Sequence, residues 1–167
     1  MIEPARQLDL FPPRAGEAST PLAPLLRVQM VTVVRAGASP FALRQMRGSA
    51  EVYAAFRGVC ERADRESFWS ILLDTKHKVI GVEEVARGSL SSAIVHPRET
   101  FKSAVVVNAA AIVVLHNHPS GDPTPSAEDL ALTRRLREVG ELIGIRVLDH
   151  IIVGRGRYVS FVDDGYL

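Results

Sequence analysis

The chain has 167 residues, of which 47% are hydrophobic and 23% are charged, and its net charge is +1. This size and composition predict one globular domain with a core of its own, and the balanced charge argues against binding nucleic acid through an overall basic surface. The single cysteine, Cys60, excludes an intramolecular disulfide. Since the sequence shows no secretory leader and no apolar run long enough to span a bilayer, we expect a cytoplasmic protein with no membrane contact.

The first 25 residues have the composition of a tail. They contain five prolines separated by small and polar residues, so we expect residues 1–25 to be disordered and the domain to extend over 26–167. Within the domain, residues 27–34 are predicted to form a strand. Ser49 can begin a helix that extends to about Arg65, with one apolar stripe formed by Val52, Ala55, Phe56, Val59 and Cys60.

The rest of the chain alternates between strand and helix patterns. Two strands at 67–74 and 78–85 are joined by a tight polar turn, a short strand at 93–95 precedes a helix from Pro97 to about Asn108, and a strand follows at 111–117. Ser126 begins a helix that Gly144 ends, and the predicted core stripe of this helix is Leu132, Leu136, Val139 and Ile143. Strands at 146–153 and 157–161 form a hairpin. This alternation predicts an α/β fold in which a mixed β-sheet is flanked by helices.

A polar motif, HNHPSGDPTPSAED at 116–129, directly follows an apolar strand. His116 and His118 are two residues apart, so on a strand their side chains point to the same face. Asp129 falls in the first turn of the next helix, where the helix dipole stabilises an acid. Two neutral imidazoles and one carboxylate are a ligand set for a catalytic Zn2+, whose fourth position is left to water.

The pattern His-x-His-Pro, six residues, Ser-x-x-Asp resembles the signature of the JAMM (MPN+) metalloproteases, in the variant found in the bacterial RadC family. Further segments agree with that family, and the resemblance covers Ser49 to Leu167. These segments are ILLDTKHKVI at 71–80, VHPRETF at 95–101 and LDHIIVGRGRYVSF at 148–161. The resemblance implies the cytidine-deaminase-like α/β/α sandwich. It also implies a zinc-dependent metallohydrolase that cleaves peptide or isopeptide bonds through a metal-activated water.

A hydrolytic zinc site also needs a general base, and two glutamates are candidates. In JAMM enzymes this glutamate lies upstream, at the start of a strand that follows the first helix, and Glu66 occupies that place, 50 residues before His116. Glu99 is the rival because it lies in the family-like segment HPRET. An acid in the first turn of a helix is expected in any case, so we favour Glu66.

Three more residues of the motif regions have alternative roles. Ser126 can simply cap its helix through an amide near Asp129, or, as the resemblance implies, hydrogen-bond the oxyanion or the bound water during reaction. Asn117 points away from the histidines and is expected to tie the strand end to a loop. His150 is assigned a structural hydrogen-bonding role.

The N-terminal tail suggests a different function. Gln7, Leu8, Asp9, Leu10 and Phe11 resemble the peptide that docks into the bacterial DNA sliding clamp, with Leu and Phe as apolar anchors on a flexible segment. The alternative to an enzyme is therefore a non-enzymatic DNA repair or replication accessory that the clamp recruits.

Direct contact with DNA has weaker support. The local arginine clusters at 134–137 and 155–157 are typical of solvated surfaces, and the helix-hairpin-helix region of longer RadC proteins has no matching sequence here. A metal-dependent nuclease is weaker still, because such sites often use clustered carboxylates and two metals.

Overall fold

In the computed structural model of the chain, residues 45–88 and 95–167 are described. Several predictions fall outside these residues: the tail 1–25 with its peptide at 7–11, the strand at 27–34, and residues 93 and 94 of the short strand. The described part begins with a bridge between Gln45 and Lys78 and continues directly into the first helix.

The described residues form three helices and five strands in the alternating order that the sequence predicts. In chain order, they are α1 (Ser49–Cys60), β1 (Ser67–Leu73), β2 (Val79–Arg87), α2 (Pro97–Val106), β3 (Ala111–Asn117), α3 (Ala127–Ile143), β4 (Arg146–Val153) and β5 (Tyr158–Ser160).

The five strands form one mixed sheet in the order β2-β1-β3-β4-β5. The β1–β2, β1–β3 and β4–β5 pairs are antiparallel, whereas β3 and β4 are parallel because α3 connects them. The two predicted hairpins, β1–β2 and β4–β5, are both present. In the first, Asp74 stabilises the turn by accepting from the backbone N–H groups of Lys76 and Lys78.

Two apolar cores lie on opposite faces of this sheet. On one face, Val52, Phe56 and Cys60 of α1 pack on alternate residues of β1, β3 and β4. On the other face, Phe101 of α2 and Leu136 of α3 cover the intervening residues. Strands β1 and β3 are buried along their full length because helices cover both faces. The predicted α/β fold, with a mixed sheet between helices, is therefore confirmed.

Two predicted helices extend too far at their C-terminal ends. Helix α1 ends at Cys60 rather than near Arg65, because four of the next five residues are charged and exposed, namely Glu61, Arg62, Asp64 and Arg65. Helix α2 ends at Val106 rather than Asn108, and Asn108 adopts a left-handed conformation with φ of 53°.

Two predicted core stripes were partly wrong. Val59 is 43% exposed, so the buried face of α1 is Ser49, Val52, Phe56 and Cys60. In α3, Ile143 is 42% exposed, and the buried face is Asp129, Thr133, Leu136 and Gly140. The N-terminal part of this face, Asp129 and Thr133, is polar because it contacts histidines of the sheet. Among the helices of the described ranges, none has the length and apolar character that a bilayer crossing requires.

Candidate metal centre

The two histidines of the motif lie where β3 ends. His116 pairs with Phe68 of β1, and His118 continues the strand direction by donating its backbone N–H to the Val153 carbonyl, 3.0 Å away. The two side chains share a face of the sheet, as the spacing predicts, and their Nε2 atoms are 3.0 Å apart. His116 is fully buried and the His118 side chain is 15% exposed, so the pair opens to solvent on the His118 side.

Asp129 reaches the histidines from the first turn of α3. Its Oδ1 lies 3.2 Å from His116 Nε2, and its Oδ2 lies 3.5 Å from His118 Nε2. A capping box fixes this position, since Ser126 Oγ accepts from the Asp129 N–H at 3.1 Å and Asp129 Oδ2 accepts from the Ser126 N–H at 2.8 Å. The helix N-terminus thus places a buried carboxylate against the end of β3.

The donor set of this cluster fits a metal ion. One ligand atom from each of His116, His118 and Asp129 lies within 4.8 Å of the other two. Both Nδ1 atoms are engaged elsewhere: His118 Nδ1 lies 2.8 Å from the Asp122 carbonyl, and His116 Nδ1 lies 2.8 Å from His150 Nε2. Partners of this kind orient metal-binding imidazoles, so both Nε2 atoms are left facing the carboxylate. These three residues can hold a metal.

The pKa values of His118 and Asp129 depend on the contact between these two side chains. A hydrogen bond to Asp129 raises the pKa of His118, although burial opposes this effect. Burial also raises the pKa of Asp129, but hydrogen bonds from His116 and His118 outweigh it and hold that pKa well below its ordinary value. Asp129 is therefore negatively charged. Its charge favours protons on the histidines or, instead of those protons, a bound cation.

Glu66 lies immediately before β1, at the edge of this cluster. The last pair of the β1–β3 register is Phe68 with His116, and Glu66 and His118 each lie two residues beyond that pair. The negative charge of Glu66 contributes to the raised pKa of His118, and the side chain is half-buried. Its backbone carbonyl accepts from the Gly88 N–H at 2.8 Å.

Glu99 has a different environment in the first turn of α2. Its Oε2 accepts from Lys102 Nζ at 2.9 Å, and its Oε1 lies 3.6 Å from Arg98 Nε. The bond from Lys102 lowers the pKa of Glu99. Both carboxylate oxygens therefore face basic side chains of their own helix.

Ser126 has the capping role that was one of its two predicted roles. Its hydroxyl also donates to Asp129 Oδ2 at 2.6 Å, so the serine holds the carboxylate in position directly. The role in stabilising an oxyanion stays a prediction.

The loop between the histidines and α3 is packed against the β4–β5 turn. A Cβ at Gly154 would lie 2.5 Å from the Gly121 carbonyl and 2.7 Å from Pro123, so only glycine fits there. The Arg155 N–H donates to the Gly121 carbonyl at 2.9 Å, and Arg157 pairs with Asp122 at 3.0 Å. These contacts fix the position of the Asp122 backbone carbonyl, which is the hydrogen-bond partner of His118 Nδ1.

Sequence reasoning missed part of the surroundings of the cluster. The sequence predicts a structural hydrogen-bonding role for His150 but does not identify the residue that it bonds. It does not single out Thr133. Both are buried, and His150 lies between His116 and Thr133. One available signal was that Thr133 follows Asp129 by one helical turn and so shares its face of α3.

Comparisons with known proteins agree with this architecture. A model of the RadC-like JAB domain family matches residues 46–166. A UPF0758 protein of Pelobacter propionicus is 54% identical over 117 residues, which are 70% of this chain and 51% of the relative. A UPF0758 protein of Geotalea uraniireducens is 48% identical over 134 residues, or 80% of this chain and 59% of the relative.

The chain spans about half the length of these curated relatives, because the matches cover 51% and 59% of them. The family match itself extends from just before α1 to the residue before the C-terminus, and so includes the whole sheet and the histidine motif. The chain therefore belongs to the RadC-like JAB domain family.

Proposed function

We propose that this domain is a zinc-dependent metallohydrolase of the JAMM type that cleaves peptide or isopeptide bonds. The main support is the convergence of two imidazole Nε2 atoms and one carboxylate on one point, with both Nδ1 atoms hydrogen-bonded elsewhere. Three protein ligands of this kind would leave a position on a bound zinc ion for water, as in catalytic rather than structural zinc sites.

Zinc held by His116, His118 and Asp129 would supply Lewis acidity, which would lower the pKa of a water molecule to about 7 and polarise the substrate carbonyl. Glu66 is the general base. Its carboxylate takes the proton from the attacking water and passes it to the nitrogen of the leaving amine. The charge of Glu66, which contributes to the raised pKa of His118, supports this role, and the ion pairs of Glu99 with its own helix argue against the rival.

Ser126 contributes in two ways in this proposal. In the resting site its hydroxyl holds Asp129 in place through the 2.6 Å hydrogen bond to Oδ2. During reaction the same hydroxyl turns and donates to the negatively charged oxygen that forms when water adds to the carbonyl carbon, which stabilises the transition state. Loss of this donor then affects both the orientation of Asp129 and the rate.

The alternative function is a non-enzymatic DNA repair or replication accessory recruited by the sliding clamp. It depends on Gln7 to Phe11, which lie outside the described residues. A peptide of residues 1–16 should displace a known clamp ligand at tens of micromolar, and no displacement at that concentration would end the idea. A protein with both a hydrolytic site and a docking peptide would satisfy both tests.

A substrate screen with matched variants separates enzyme from scaffold. Zinc-loaded protein would be assayed on internally quenched peptides and on lysine isopeptides, beside Glu66→Gln and, as a control, Glu99→Gln. We expect Glu66→Gln to lose about 100-fold or more in rate while keeping its zinc, and Glu99→Gln to keep both. Equal rates for wild type and Glu66→Gln, or no hydrolysis by zinc-loaded wild type, would contradict the proposal.

A further inference from the structure

Three buried hydrogen bonds connect the two elements that carry the metal ligands. His116 Nδ1 of β3 lies 2.8 Å from His150 Nε2 of β4. His150 Nδ1 lies 2.6 Å from Thr133 Oγ1 of α3, and Thr133 Oγ1 lies 2.6 Å from the backbone carbonyl of Asp129. The path thus runs from one ligand, through two residues that do not touch the metal position, to the backbone of another ligand.

The last hydrogen bond determines the direction of the other two. The Asp129 carbonyl can only accept, so the single hydroxyl proton of Thr133 is used there. Thr133 Oγ1 must then accept from His150, which places a proton on His150 Nδ1. The opposite direction would bring two acceptor oxygens to 2.6 Å with no proton between them.

The environment of His150 keeps only one proton on the ring. The His150 side chain is fully buried and its two ring nitrogens face an imidazole and a hydroxyl, so a second proton would bury a positive charge against neutral partners. Phe68 and Phe161 enclose it, with ring centroids 5.7 Å and 4.7 Å away. A neutral imidazole with its proton on Nδ1 offers a bare Nε2, and that atom accepts from His116 Nδ1–H.

We propose that His150 is a positioning residue of the metal centre, which keeps a proton on His116 Nδ1 and so directs the Nε2 lone pair of His116 at the metal position. Thr133 sets the direction of this hydrogen-bonded path. The inference rests on the metal site of the proposed function and not on hydrolysis.

The two histidine ligands are held by different means. His118 Nδ1 faces a carbonyl, which can only accept, so the tautomer of His118 needs no further support. His116 faces an imidazole, which could equally donate, so its tautomer depends on Thr133 although these two residues do not touch. A side chain remote from the metal should therefore affect metal affinity.

The first test uses the wild-type protein. In metal-free protein labelled with 15N, NMR should show a proton on His116 Nδ1 and a 15N–15N coupling across the hydrogen bond to His150 Nε2. The His150 ring should carry its proton on Nδ1. A proton on His150 Nε2, or a His116 Nδ1 that accepts rather than donates, would overturn the inference whatever the metal content of the protein.

The second test measures zinc affinity by competition with a chelator. His150→Leu removes the acceptor and should weaken zinc binding by about 10- to 100-fold. His150→Gln keeps an acceptor oxygen near the position of Nε2 and should recover much of that loss. Thr133→Val has nearly the same shape as the native side chain and should weaken binding by several-fold to about tenfold.

Ser160→Ala is the matched control. It removes a buried 2.7 Å hydrogen bond, between Ser160 and Asp149, from the strand pair that also carries His150. It should lower the free energy of unfolding without changing zinc affinity. Wild-type affinity in folded His150→Leu would overturn the inference, and if that variant does not fold, wild-type affinity in Thr133→Val would do so. A wild-type protein that binds no zinc would instead refute the metal site itself.

Discussion

The side chain of Asn117 holds the backbone on both sides of Glu66. Its Oδ1 accepts from the Ser67 N–H at 2.9 Å, and its Nδ2 donates to the Arg65 carbonyl at 3.0 Å. Asn117 lies between the two histidines of the motif and points to the opposite face of the sheet. The same segment of β3 therefore presents the histidines on one face and fixes the backbone of the proposed base from the other.

Replacement of Asn117 by alanine should impair Glu66 without removing the metal ligands. Both hydrogen bonds would be lost, and the buried Ser67 N–H would be left without its partner, so the free energy of unfolding should fall by about 1–3 kcal/mol. We expect Asn117→Ala to bind zinc as wild type does but to hydrolyse substrate more slowly, through a lower kcat. Zinc content, urea unfolding and steady-state kinetics measure the three effects.

The control for this prediction is Gln45→Ala, since Gln45 also makes a side-chain bond to a backbone carbonyl, that of Lys76, but in an exposed turn. It should leave kcat unchanged. An Asn117→Ala protein with wild-type kcat would show that Glu66 needs no such support, or that it is not the base.

Gly140 should tolerate no side chain, although it lies inside a helix. A Cβ there would be 2.5 Å from the Ile145 carbonyl and 3.3 Å from Phe101, where α3 contacts β4 and α2. We expect Gly140→Ala to lower the free energy of unfolding by about 1–3 kcal/mol, despite the better helix propensity of alanine. Urea unfolding measures this change.

Gly58 is the matched control for Gly140. It lies on the exposed face of α1, and the nearest atom that a Cβ would meet there is 3.9 Å away, at the end of the Arg62 side chain. Gly58→Ala should therefore stabilise the protein by about 0.5–1 kcal/mol. Similar effects of the two substitutions would contradict the close packing of α3.

Asp149 should make stability depend on pH. Burial raises the pKa of Asp149 despite the hydrogen bonds from Ser160, Val162 and His150. Because the folded pKa lies above the unfolded one, the folded state binds more protons between the two values, and this contribution to stability is lost as pH rises from about 4. Asp149→Asn cannot ionise and should not show this loss.

The comparison is best made as a difference between the two proteins. The free energies of unfolding of wild type and Asp149→Asn, measured in urea from pH 4 to pH 7, should diverge in favour of the variant as the pH rises. A difference that stays constant over this range would show that Asp149 has an ordinary pKa in the fold.

The elements and the cluster of His116, His118 and Asp129 follow from local sequence patterns. The apolar run before His116 predicts β3, the spacing of two predicts a shared face for the histidines, and Ser126 with Asp129 predicts the capped start of α3. Since each of these signals spans only a few residues, no knowledge of the tertiary structure is needed to read them.

The surroundings of the cluster depend on contacts between distant segments. His150 faces His116 only because β4 pairs in parallel with β3, and Thr133 is buried only because α3 packs over that pair. The pattern of α3 predicted an apolar stripe through Ile143, but Thr133 is buried against His150, and Gly140 is buried where α3 approaches Ile145 and Phe101. Residues 7–11 lie outside the described ranges, so docking of this segment to the sliding clamp stays a prediction.

Zinc content tests most directly whether His116, His118 and Asp129 hold a catalytic metal. Elemental mass spectrometry would be applied to protein purified without a histidine tag, beside His118→Ala and the control His77→Asn. The control removes a histidine from a turn, where φ is 57° and asparagine is tolerated. We predict about one zinc ion per chain in wild type and in the control, and none in His118→Ala. No metal in wild type, even after addition of zinc and dialysis, would show that these three residues do not form a zinc site.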